Sequence, residues 1–128
     1  MPSRNLTDLD YRLQRGYTLA AHDYRVKYPE DPQPFLTCTY RSNEEQLALY
    51  AKGRTVPGAR VTNIRKNGKH NCLPAMAFDI AFKNENGALD WNPVLFEKFA
   101  LIIKQNFNGL IKWGGDWRSF KDRPHFEV

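Results

Sequence analysis

The order of apolar and polar positions divides the chain into a few segments. Over residues 5–28, Leu6, Leu9 and Leu13 recur on one helical face, so the spacing predicts a helix that Gly16 interrupts and Pro29 ends. Glu30-Asp31-Pro32-Gln33-Pro34 reads as a loop. Residues 35–40, rich in β-branched and aromatic side chains, read as a strand. Ser42-Asn43-Glu44-Glu45 has the form of a capping box, in which Ser42 caps the backbone and Glu45 reaches back. The helix it starts is expected to turn Leu47, Tyr50 and Ala51 inward and to stop at Gly53. Residues 54–76 carry few regular signals, and a loop this long in a small domain is usually functional or mobile. Residues 77–82 alternate: Phe78, Ile80 and Phe82 face one way, and Ala77, Asp79 and Ala81 the other. Asn92 and Pro93 are cap and first-turn residues of a helix whose inward stripe is Phe96, Phe99, Ala100, Ile103 and Phe107, ended by Gly109. Short strands over 110–113 and 124–128 flank a Gly114-Gly115 turn. Helices mixed with non-alternating strands predict an α+β fold, a small antiparallel sheet packed with about three helices.

Composition sets the scale. With 128 residues, 41% hydrophobic and 26% charged, the chain suits one ordinary core and is too short for two, so residues 1–128 are expected to form a single domain. No stretch approaches the ~18 consecutive apolar residues of a membrane span, and the first residues lack an apolar segment of signal-peptide length. Nineteen lysines and arginines against 14 acids leave a net charge of +5. The excess is local: residues 46–78 contain no acid, while Lys52, Arg54, Arg60, Arg65, Lys66 and Lys69 are all basic. Such a cluster favours an anionic partner (nucleic acid, an acidic polymer or a membrane surface), or is simply a solvated face. The two cysteines, Cys38 and Cys72, form no C-x-x-C pair, which excludes a cysteine zinc site. They are expected to be buried thiols, with a disulfide between them as the alternative.

The chemistry concentrates in few residues. Of three histidines, His22 sits in a helical segment beside Asp23 and reads as a partly exposed helix residue. Asp79 stands in an apolar strand with only Ala77 and Ala81 beside it on its face. A carboxylate there must be paired or bound to a metal, since burying it alone costs several kcal/mol. His70 lies at the end of the basic loop, and His125 on the last strand with Asp122 three residues upstream. Two histidines and an aspartate are one three-ligand set of a catalytic zinc site with a position left open for water. Hydrogen-bonded structural histidines, and an Asp79 paired with an arginine, are the alternatives.

At these residues the chain resembles a family. The stretch from Lys69-His70-Asn71 through Ala77-Phe78-Asp79-Ile80 is similar to the first zinc motif of the D-alanyl-D-alanine carboxypeptidase family of zinc peptidases, and Asp122-Arg123-Pro124-His125-Phe126-Glu127 to its second. Thr39-Tyr40-Arg41-Ser42 with Glu45-Gln46 resembles the substrate-binding arginine segment, and Trp113-Gly114-Gly115-Asp116-Trp117 the tryptophan-glycine stretch before the last motif. Each motif is weak, but four in the family's order are specific. The nearest branch is the L-alanyl-D-glutamate peptidases, which include phage endolysins and cut the peptide stem of peptidoglycan.

The resemblance implies a zinc-peptidase fold and one zinc per chain, held by His70, Asp79 and His125. It implies Asp122 as general base, with Asp116 in reserve although a turn role suits Asp116 better. It further implies that Arg41 contacts substrate and supports the oxyanion; Gln46, Trp113, Asp116 and Trp117 are expected to contact substrate, with packing near the chain's end as the alternative, compatible role of the two tryptophans. Two departures stand out: Gly68 occupies the place of a family serine, and the His70-to-Asp79 interval is longer than the common form. The expected enzyme is a monomeric catalytic domain with no separate wall-binding domain, made in the cytoplasm and acting on murein after release. The alternatives are a D-alanyl-D-alanine carboxypeptidase, a zinc-binding relative without catalysis, and a basic nucleic-acid-binding module. The last leaves Asp79 among alanines and the Asp122–His125 pair unexplained, so no specific nucleic acid is expected.

Overall fold

Alternation along one central strand organises the molecule. In residues 2–128, which a computed structural model describes, the elements are α1 (Tyr11–Lys27), β1 (Gln33–Cys38), α2 (Asn43–Ala51), β2 (Ala77–Lys83), α3 (Pro93–Phe107), β3 (Lys112–Trp113) and β4 (His125–Glu127). The strands form one antiparallel sheet in the order β1-β2-β4-β3. The α+β expectation holds, with three helices and four strands.

One face of β2 carries Phe78, Ile80 and Phe82, and Phe126 of β4 lies beside Phe78 with the rings stacked 5.2 Å apart. Leu13, Ala20 and Tyr24 of α1 and Phe96, Phe99, Ala100 and Ile103 of α3 close over this face. Each large apolar side chain among them contributes roughly 1.5–3 kcal/mol by leaving water. The opposite face carries Ala77, Asp79 and Ala81, with His125 directly across from Asp79 and Glu127 across from Ala77. The register therefore separates an oily face from a chemical one.

The local expectations hold in part. The capping box at Ser42 and Glu45 is formed, and Asn92 caps α3 with Pro93 in its first turn. Gly16 does not interrupt α1, which begins only at Tyr11 and runs unbroken to Lys27. A Cβ on Gly16 would collide with Ile111 Cδ1, so this glycine permits a close crossing. Helix α2 does not turn Leu47 inward: Leu47 is exposed and the buried position is Gln46. Gln46 faces the cleft together with Leu49, so the buried position of this helix serves the cleft rather than the apolar core. Cys38 is buried and Cys72 exposed, both as free thiols, which replaces the expectation of two buried ones.

Candidate metal centre

Three elements deliver the centre. β2 supplies Asp79, β4 supplies His125, and the turn Lys69–Asn71 supplies His70. The turn is anchored, because Arg41 N donates to His70 O, Met76 N to Lys69 O, and the Asn71 amide to Arg41 O. A β-bulge between Leu36 and Cys38 shifts the register so that Leu36 lies opposite Ile80 and Cys38 opposite Asp79. Cys38 Sγ thereby sits 3.6 Å from His70 Nδ1 and accepts from Arg41 Nη2 at 3.4 Å.

The hydrogen bonds decide how each imidazole is used. His70 Nδ1 lies 2.9 Å from Thr39 O, which can only accept, so Nδ1 carries a proton and Nε2 faces Asp79 Oδ1 at 3.2 Å. His125 Nε2 donates to Glu127 Oε1 at 2.8 Å, and its Nδ1 faces the same Asp79 Oδ1 at 3.1 Å. Two ring nitrogens thus converge on one carboxylate oxygen. Each needs either a second proton or a cation beside it. Burial pulls His70 down, yet the Asp79 charge outweighs it and holds the ring at about 10; burial and Asp79 act likewise on His125, held at about 9. Burial would raise Asp79, but the two imidazoles keep it well below the usual carboxylate range. A divalent ion beside Asp79 would take the place of these extra protons. Donor atoms of Asp79, Asp122 and His125 lie within 4.8 Å of one another, as do those of Cys38, His70 and Asp79.

Asp122 stands beside this group and differs from Asp79. Burial, then the Asp79 charge, raises its pKa, which suits a carboxylate that exchanges protons nearer neutral pH. Its segment is tied in by Asp122 N donating to Gly114 O at 3.0 Å, and a Cβ on Gly114 would overlap the Asp122 carbonyl. Arg41 donates from Nη1 to Gln46 Oε1 at 2.9 Å, and its Nη2 stands 3.7 Å from Asp79 Oδ2. Arg41 Nε is buried with no partner among the described residues. Gln46 spans the region, its amide donating to Ile64 O at 2.7 Å and so fastening the basic loop beneath Arg41.

These groups line one open cleft of about 480 Å³. Arg41, Gln46 and Trp117 line it, with the Trp117 ring 5.2 Å from that of His125. Trp113 and Asp116 do not. Trp113 is buried, stacked along Phe126, and donates its indole N–H to Arg123 O at 2.7 Å. Asp116 is exposed and pairs with Lys104 at 2.8 Å. At Gly68, a Cβ would come within 2.7 Å of Ile64 Cγ2, so the glycine matches a loop packed closely over it. Reading the sequence missed three neighbours: Cys38, turned in by the bulge, Glu127, and the cleft residue Trp91. Only Glu127 had a signal, its place two residues beyond His125 on the same strand face.

Fold and centre together define a class: a small α+β protein whose sheet and an adjoining turn bring histidines and aspartates to one cleft, in groups that could hold a metal ion. The model of the D-alanyl-D-alanine carboxypeptidase family matches residues 64–128, just over half of the chain. The chain belongs to that family of peptidases. It is 31% identical over 99 residues to the peptidoglycan L-alanyl-D-glutamate endopeptidase CwlK of Bacillus subtilis strain 168, an alignment covering 73% of this chain and 59% of that protein. The chain thus spans about three fifths of that relative's length. The crystal structure of the Serratia marcescens L-Ala D-Glu endopeptidase ChiX superposes with a TM-score of 0.72 at 21% identity, over 100% of this chain and 88% of the other, which is a likeness of fold.

Proposed function

We propose that this protein is a zinc-dependent peptidase of the peptidoglycan stem that cuts the bond between L-alanine and D-glutamate. The observation carrying this is the convergence of His70 Nε2 and His125 Nδ1 on Asp79 with Asp122 alongside. The names of the two relatives favour this bond over the D-alanyl-D-alanine bond.

Zinc would be held by His70, Asp79 and His125, and would act there as a Lewis acid that makes water nucleophilic near neutral pH. Asp122 accepts the proton of the attacking water and returns it to the leaving amine. Arg41, held by Gln46, offers its guanidinium where the scissile carbonyl oxygen gains charge. Trp117 walls the cleft next to His125. Trp113 and Asp116 act from outside it, Trp113 by fixing Arg123 and Asp116 by pairing with Lys104. Lys69 lines the cleft, and the exposed Arg60, Arg65 and Lys66 of the same loop add positive charge suited to stem carboxylates and an anionic wall polymer. Among the described residues no helix is long and apolar enough to cross a membrane.

The test is mass spectrometry of fragments from purified murein, digested with zinc and with a chelator. Stem peptides beginning at D-glutamate should form with zinc and not with the chelator. Release of D-alanine alone would assign the carboxypeptidase activity, and intact murein would overturn the proposal.

A further inference from the structure

Two large aromatic side chains at the cleft remain outside the chemistry above. Trp91, in the loop between β2 and α3, is 56% exposed although its ring lies parallel to Phe96 of the core at 6.0 Å. Phe120 is 44% exposed, and its backbone sits at φ +50, a left-handed conformation that bulky residues rarely adopt. Both line the same cleft as His70, Asp79 and His125. Apolar surface exposed beside a polar centre is a candidate ligand contact, and Trp91, stacked along Phe96 on one side, leaves much of its ring free to meet one.

We infer that Trp91 and Phe120 form a carbohydrate subsite that receives the muramic acid ring of intact murein. The inference rests on the stem-peptidase reading and extends it to the substrate's sugar. L-alanine is the first stem residue, and its amine is acylated by the lactyl group of muramic acid. The sugar therefore begins within about two residue lengths, ~7 Å, of the carbonyl to be cut. A cleft that takes this bond in intact murein must also accommodate a pyranose at its edge. The stem next to that bond offers aromatic rings little more than a methyl group, because D-glutamate is charged. A pyranose offers a flat face of C–H groups, which suits an aromatic face. The D-alanyl-D-alanine bond lies several residues further from the sugar, so a carboxypeptidase would not need this subsite.

The test compares two substrates with the same scissile bond and the same amide on L-alanine: an N-acetylmuramoyl tripeptide and the N-lactoyl tripeptide lacking the sugar. With zinc-loaded protein, kcat/KM should favour the muramoyl substrate about tenfold, the size of one good aromatic contact. In W91A and F120A that ratio should fall toward one. Equal kcat/KM for the two substrates in the unmodified protein, or a preference that survives both substitutions, would overturn the subsite while leaving the peptidase reading intact. Failure to cut either substrate would overturn that reading, and the subsite with it.

Discussion

At the scale of single residues, the centre is a set of hydrogen-bonding choices. Glu127 accepts from His125 Nε2 and so leaves Nδ1 to face Asp79. Replacing Glu127 by Ala should weaken zinc binding about 10–100-fold in a chelator competition, whereas Glu127→Gln, which still accepts, should stay close to the unmodified protein. Asp122→Asn should lower kcat about 10²-fold or more with zinc content unchanged by elemental analysis, because it removes a proton acceptor and keeps the shape. The metal-free protein carries its own pH signature. His70 and His125 are held above their ordinary 6.5, at about 10 and about 9, so their contribution is complete below 6.5 and is lost as pH rises through those values. Asp79 is lowered, so its contribution is present above its ordinary 3.8 and is lost in acid. Melting in chelator should show the highest Tm between about pH 4 and 6.5 and a decline toward pH 10, a decline that zinc suppresses. Asp79 stood out in the sequence because an acid among alanines must be paired or bound to a metal. Cys38 and Trp91 were not, since neither a bulge nor a loop's course follows from residue type.

At the scale of elements, the legible parts were those set by local chemistry. Asn92-Pro93, the Ser42–Glu45 box and the strict alternation of residues 77–82 each satisfy backbone or burial demands within one segment. The errors came from tertiary demands. Gly16 resembles a helix breaker until Ile111 is found lying against it, and Leu47 resembles a core residue until α2 is found to turn Gln46 to the cleft instead. Gly16→Val should therefore destabilise by roughly 1–3 kcal/mol through overpacking, read as a lowered Tm, rather than by changing helix content. The motifs around His70 and His125 announced their residues. Which of those residues meet was settled by β2–β4 pairing, which no single segment encodes.

At the scale of the whole molecule, the sheet works as a partition. Aromatic packing on one side makes a stiff floor, and the other side supplies a centre whose parts come from distant stretches of chain. The charge of the basic loop acts at longer range than the centre. Raising salt from 0.05 to 0.5 M should slow digestion of intact murein markedly, since screening shortens from beyond ~10 Å to a few ångströms, and should affect a short uncharged peptide little. The stretch preceding α1 also belongs to this arrangement. Ser3 exchanges backbone hydrogen bonds with the Thr39–Tyr40 segment, and Asp8 and Asp10 clasp Ala75 from both sides. Thr39 in turn presents the carbonyl that orients His70. A protease nick or a bulky fusion in this amino-terminal strap would thus be felt as a slackened imidazole at the other end of the relay, silencing the centre without touching any group that faces the cleft.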